Sequence, residues 1–161
     1  MTADIKEKFG TNGQTITCGI ASLTNSSSRQ STVIDNGTNL YSDALVQVTT
    51  KTGASGTSAA GFINVYAYAT VDGGTTYTDG ASGTDGAFTP TNPPNAVLIG
   101  RVNCVANATT YKSTPMSVAA AFNGILPEKW GVIIENKTGG TLDATAGNHA
   151  VKYQGVLAQT V

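Results

Sequence analysis

Apolar side chains recur at every second position through most of this chain, and turn-forming residues break the alternation at short intervals. From Gln14 to Leu23, Ile16, Cys18 and Ile20 share one side, with Thr15, Thr17 and Gly19 on the other. A shorter run, Arg29 to Ile34, closes at Asn36-Gly37, and Ala44 to Thr50 alternates again. Gly61 to Val71 is the clearest case. There Ile63, Val65, Ala67, Ala69 and Val71 share one face, and Phe62, Tyr66 and Tyr68 the other. Period-two patterning marks an extended strand, and bulk on both faces puts this one at the centre of a sheet or under a partner. Val97 to Ala106, Trp130 to Glu135 and Ala150 to Leu157 complete the strong strands. Thr75 to Thr78, Thr110 to Lys112 and Met116 to Ala121 are weaker ones. Ala119 to Ala121 favours helix, but Pro115 before it and Asn123-Gly124 after it leave little room. Leu126 to Trp130, with Pro127 as a natural first residue, reads as a single helical turn.

Asn12, Asn36, Asp72, Asp79, Asp85 and Asn123 are each followed by glycine. Such pairs tolerate positive φ, so each reads as a tight hairpin reversal. About eight antiparallel strands without a long helix predict an all-β chain, a single-domain β-sandwich of jelly-roll-like kind. Two stretches fall outside the framework. Residues 1–13 are polar and charged and read as a flexible N-terminal arm, leaving 14–161 as the sandwich domain. Asp79 to Asn95 is rich in glycine and proline, and loops of that length are commonly functional or disordered.

Composition narrows the chemistry. Gly, Ser, Thr and Asn supply 67 of 161 residues, while 19 are charged and His149 is the one histidine. Acid–base catalysis near neutral pH usually recruits histidine, so the balance points away from an enzyme and towards a surface-presenting module. Net charge is −1 and the nine basic residues are scattered singly, with none between Thr52 and Gly100. Such a chain has no field to gather nucleic acid or an anionic membrane. Met1 to Gly10 has no apolar core and does not read as a secretory signal. No apolar run approaches the length of a membrane span.

Each candidate site competes with a plainer account. His149 with Asp143 and a serine would make a hydrolase triad, but no Gly-x-Ser-x-Gly elbow accompanies them, and Gly147-Asn148-His149 reads as a turn. Asp72, Asp79 and Asp85 lack the alternating ligands and distal Glu of a calcium loop, so ordinary turns account for them. Gly73-Gly74 and Gly139-Gly140 lack the Lys-Ser/Thr pair of a phosphate loop and read as hairpin turns. Cys18 and Cys104 read as small buried apolar side chains, neither a disulfide nor a zinc site. The Asn-x-Ser/Thr triplets at Asn25, Asn36, Asn107 and Asn136 are close to the number expected by chance in so Ser/Thr-rich a chain. Tyr66, Tyr68, Tyr77, Phe88 and Tyr111 suit either a sugar-stacking platform or a protein interface. No catalytic, cofactor-binding or metal-binding residue is assigned.

The succession Val71-Asp72-Gly73-Gly74-Thr75-Thr76-Tyr77, then Val97-Leu98-Ile99-Gly100-Arg101-Val102, is similar to small tailed-phage virion proteins. So is Ser117 to Val132, most specifically through Leu126-Pro127-Glu128-Lys129-Trp130-Gly131, followed by Glu135 to Leu142 and His149 to Val156. The resemblance covers roughly residues 60–160. It implies a β-sandwich decoration or cement protein on the capsid exterior of a virion, made in the host cytoplasm. Such proteins assemble as homo-oligomers, dimers or trimers, over seams of the major capsid protein. The family offers no catalytic motif to carry over. The alternative expectation is a carbohydrate- or receptor-binding sandwich of a phage tail or host-attachment structure.

Overall fold

A computed structural model describes residues 4–92 and 94–160. Its strands are β1 (Ile5–Phe9), β2 (Gln14–Thr15), β3 (Ser28–Gln30), β4 (Ile34–Asp35), β5 (Asp43–Lys51), β6 (Phe62–Thr70), β7 (Gly86–Phe88), β8 (Val97–Asn103), β9 (Thr110–Lys112), β10 (Met116–Ser117), β11 (Lys129–Lys137) and β12 (Ala150–Thr160). They form an all-β sandwich of two antiparallel sheets, one of them strongly curled. The first sheet runs β1-β12-β5-β10, with β2 also on β12 and β9 also on β5. The second runs β7-β3-β11-β6-β8, with β4 also on β11.

Period two becomes two inner faces. Val46 and Val48 of β5, Val151 and Tyr153 of β12, Ile63 and Val65 of β6, and Trp130, Val132 and Ile134 of β11 meet in one core. Each such side chain contributes roughly 1.5–3 kcal/mol on burial, which is what holds the sheets face to face. Trp130 is fully buried and meets Tyr153 edge-on, with ring centres 5.5 Å apart.

Several local expectations change. Ile16 and Ile20 are buried, but the ladder from Gln14 ends at Thr15. The segment leaves the first sheet at Ile16, whose N–H donates to Val151, and reaches the second at Thr17, whose carbonyl accepts from Thr32. Alternation there reports burial between sheets, with no strand partner. Met116–Ser117 is a strand, yet Ala119–Phe122 is a 3₁₀ turn ended by Asn123 and Gly124, both at positive φ. No helical turn forms at Leu126 to Trp130, because Lys129 and Trp130 already pair with Thr70 and Ala69. Thr75 to Thr78 is a turn region. No ladder among the described strands joins neighbours in sequence, so none of the six Asn-Gly and Asp-Gly pairs is a tight hairpin. Gly73-Gly74 and Gly139-Gly140 likewise lead out of β6 and β11 into crossovers, not hairpins.

The segment read as a flexible arm contains β1, which pairs along its whole length with Val156–Thr160 of β12. Ile5, Glu7 and Phe9 alternate with Lys6 and Lys8, and no glycine or proline interrupts them, so the stretch is a competent strand. The arm's first residues, Met1 to Ala3, lie outside the described residues.

Candidate functional site

The outer face of the second sheet is built by register. Phe88, Ser28, Glu135, Asn64 and Arg101 are direct neighbours across β7, β3, β11, β6 and β8. Directly opposed residues on one face are the pairs that interact in a sheet. Here Arg101, Asn64 and Glu135 form a hydrogen-bonded chain. Arg101 lies over the Phe62 ring at 4.5 Å and donates from Nε to Asn64 Oδ1 at 2.8 Å. Asn64 Nδ2 donates to Glu135 Oε2 at 2.8 Å, and the Tyr66 hydroxyl donates to the same oxygen at 3.1 Å. Lys137 Nζ sits 3.0 Å from Glu135 Oε1. Burial pushes the Glu135 carboxyl up, but the Asn64, Lys137 and Tyr66 donors outweigh it and hold it below the ordinary value. Burial, reinforced by that carboxylate, raises the Tyr66 phenol.

Next to this row the same face is covered by the segment 71–96. Tyr68 is fully buried, donates to Ser31 O at 2.7 Å, and takes the edge of Tyr77 at 5.6 Å. Its ring lies across Gly131, where an added Cβ would stand 2.4 Å from it. Ala81, Ala96 and Ile133 complete a small second core. Carboxylates staple the cover down. Asp72 accepts from the Gly74, Thr75 and Thr76 N–H groups, which turns the chain as β6 ends. Asp79 accepts from the Asn95 and Ala96 N–H groups and the Thr91 hydroxyl. Asp85 takes Arg29 through Nε at 2.6 Å and Nη2 at 3.0 Å, and the Arg29 hydrogen bond holds its carboxyl below the ordinary value. Between the cover and this row lies a groove of about 640 Å³, walled by Phe88 and Pro90 and lined by Asn64, Tyr66, Glu135 and Lys137.

The sequence-named candidates scatter. His149 Nε2 donates to the Asp143 backbone oxygen at 2.8 Å, so Nδ1 accepts from Thr50 Oγ1 at 3.0 Å. Both ring nitrogens are occupied and no carboxylate orients the ring. The Asp143 carboxyl is held down to about 2 by Asn148 and the Thr145 N–H instead. Asp72 holds the turn after β6, but Asp79 and Asp85 make long-range contacts, to Thr91, Asn95 and Ala96 and to Arg29 and the Gly19 N–H, where the sequence suggested ordinary turns. Among the described residues no three His, Cys, Asp or Glu side chains gather as metal ligands. Cys18 and Cys104 are free, and burial pushes both thiols up to about 12. Asn136 is fully buried, its amide spent on Leu23 O, Gly140 O and Thr138. Of the aromatics, Tyr66, Tyr68, Tyr77 and Phe88 come together around the small second core. Tyr111 does not; its hydroxyl accepts from the Val105 and Ala106 N–H groups beside the first sheet.

At the other end of the sandwich lies a second uncovered region. Past Val156, opposite Asp43, β12 loses β5 and pairs only with β1. The resulting two-stranded ribbon stands clear of the body, with every β1 side chain exposed, Ile5 to 77% and Phe9 to 59%. Its root is clamped by Tyr41, whose ring lies against Gly155 and Gly10, sites where a Cβ would meet it at 2.4 and 2.9 Å. Apolar residues gather at the same end. Asn36 joins Glu128, beside the start of β11, to Tyr41, beside the start of β5. Leu40 is 75% exposed there, Ile125 is 74% exposed, and Val71 follows the last residue of β6. Val71, Phe122, Ile125 and Pro127 line a shallow apolar depression of about 390 Å³. Patches of this kind mark contact surfaces. The sequence does not show the row, and it shows the ribbon's first strand only as part of the segment 1–13 read as an arm. Ile5 and Phe9 at even spacing were a usable signal; the row depends on long-range register and had none. No protein-family model, curated protein or solved structure matches the chain.

Proposed function

We propose that the chain is a non-enzymatic virion structural protein, a decoration or cement protein seated on the outer surface of a phage capsid and stabilising it. The observation that carries the reading is the apolar end, where the chain's own ribbon leaves the sandwich with Ile5 and Phe9 in the open. An isolated two-stranded ribbon is marginal in water and offers unpaired backbone groups on both edges. Strand addition by a partner satisfies those groups, while the aromatic and aliphatic side chains fill its pockets. The partners in this reading are the major capsid protein and further copies of the chain, as dimer or trimer. Many copies in fixed geometry convert weak individual contacts into strong avidity. The resemblance to phage virion proteins supports the same assignment.

Mass spectrometry of purified virions tests it. The expected result is a copy number commensurate with the capsid subunits, lost when Ile5 and Phe9 are both changed to Ser. Absence from particles removes the reading. A tail-like low copy number favours the second reading, a host-attachment module, to which the Tyr66–Phe88 groove lends a specific observation.

A further inference from the structure

We infer that the groove over Glu135 is a binding site for a neutral oligosaccharide. The inference does not rest on the capsid reading, since it concerns the opposite end of the sandwich and holds wherever the protein sits. That position follows from the pairing. The groove floor uses Asn64 near the start of β6 and Glu135 and Lys137 at the finish of β11. The ribbon leaves where β11 begins and β5 begins. A molecule held by its ribbon end presents the groove outward.

The chemistry of the floor selects the ligand class. A sugar ring offers hydroxyls on its rim and C–H groups on its faces, so its site combines fixed polar groups with an aromatic or aliphatic wall. Glu135, which lines the groove, has about four lone-pair positions, of which Asn64, Tyr66 and Lys137 occupy three, leaving one acceptor position over. Lys137 has about three N–H donors and gives one to Glu135. These groups hold each other in place before any ligand arrives, which lowers the ordering cost of binding. Phe88 and Pro90 supply the apolar wall. The Glu135 and Lys137 charges cancel within the floor, and Arg101, which borders it, is engaged with Asn64 and the Phe62 ring, so the floor carries no paired cations of the kind that clamp a phosphate. A peptide strand fits poorly as well. β3, β11 and β6 each have neighbours on both sides, so the floor offers no free ladder for an extended chain to join. The volume of about 640 Å³ accommodates a ligand of more than one sugar ring.

The test uses the full chain and a printed array of neutral and acidic oligosaccharides, followed by calorimetry with the strongest neutral binder. The expected result is binding that falls about tenfold or more in Phe88→Ala and in Glu135→Gln, the loss of one stacking or one fixed polar contact. Lys152→Ala, on the first sheet, is expected to leave it unchanged. Amide NMR shifts on titrating the unmutated protein are expected to centre on Asn64, Phe88 and Glu135, which covers the case of a variant that folds poorly. No neutral binder on the array overturns the inference. So does a preference for acidic glycans, shifts centred elsewhere, or affinity that follows Lys152 instead. The particle copy number that decides the capsid reading is a separate measurement, so either proposal can fail alone.

Discussion

At the end where β5 begins, the chain leaves Ile5, Phe9, Leu40 and Ile125 in the open; at the opposite end, Glu135, Asn64 and Lys137 form a hydrogen-bonded polar row beside a groove. The first region has apolar surface and free strand edges but little hydrogen bonding to direct a ligand. The second has oriented polar groups on β11 and β6, strands paired on both sides. The ribbon and the cover over the second sheet are seated on the same device, a tyrosine ring lying against a glycine in a strand: Tyr41 on Gly155 at the ribbon root, Tyr68 on Gly131 beneath the cover. One sandwich thus carries two kinds of surface, one suited to docking against protein and one to holding a small polar ligand. The difference lies in what covers the sheet. On β5 burial alternates strictly along the strand, whereas β11 has five consecutive buried residues because segment 71–96 covers its outer face.

The variant costing the fold most strikes both ends alike. Trp130→Ala removes the largest fully buried side chain of the shared core and is expected to cost about 3–5 kcal/mol in urea unfolding. A loss confined to one end would mean the sheets are not coupled through that core, and the comparison between ends would have to be redrawn as one between two separate units.

The glycine seats separate the cover from the ribbon. Gly131→Ala puts a methyl into the Tyr68 ring and Gly155→Ala puts one into Tyr41, each expected to cost about 1–3 kcal/mol from overpacking. Removing the ring should relieve the clash, so Gly131→Ala with Tyr68→Ala is expected to cost less than the sum of the two singles. Proteolysis should open the 71–96 cover in the first variant and the ribbon in the second. The same cleavage pattern in both would refute independent seating.

How far the sequence shows these features depends on the range of the interactions. Strand β6 is legible because Ile63, Val65 and Ala67 against Tyr66 and Tyr68 is a local pattern, and its two-sided bulk correctly implies a covered face. The Phe88–Ser28–Glu135–Asn64–Arg101 row is not, since its members come from five strands and meet only through register. Ile16 to Ile20 misleads in the other direction: alternation signals burial, and here burial lies between sheets without a ladder. In β1, charges at Lys6, Glu7 and Lys8 mask a strand, because a ribbon exposed on both faces needs no apolar stripe.

A smaller effect reports on the cover alone. The Arg29–Asp85 pair is partly buried, and Asp85→Asn is expected to cost about 1 kcal/mol at neutral pH. The sign with pH follows from the lowered carboxyl. Its contribution is present above the unfolded value of about 4 and is lost as pH falls through the lower folded value. The variant should therefore show a flatter acid limb in denaturation curves measured between neutral pH and the acid transition. An unchanged limb would assign the acid response to other lowered carboxylates, Asp72, Asp79, Glu135 and Asp143.

The smallest cost to the fold is expected where the proposed function depends most on the residue. Ile5→Ser with Phe9→Ser removes side chains that touch little of the body, so the isolated chain should lose no more than about 0.5 kcal/mol. Attachment to capsids should nevertheless fail, because the buried anchors of the docked ribbon are gone. Lys6→Ala with Lys8→Ala, on the ribbon's other face, distinguishes strand addition from simple charge attraction. In strand addition the backbone edge and the Ile5–Phe9 face dominate, and binding should persist at raised salt. If the lysine pair abolishes attachment and the apolar pair does not, the apolar end is not the docking surface, and the two ends of the molecule must exchange roles.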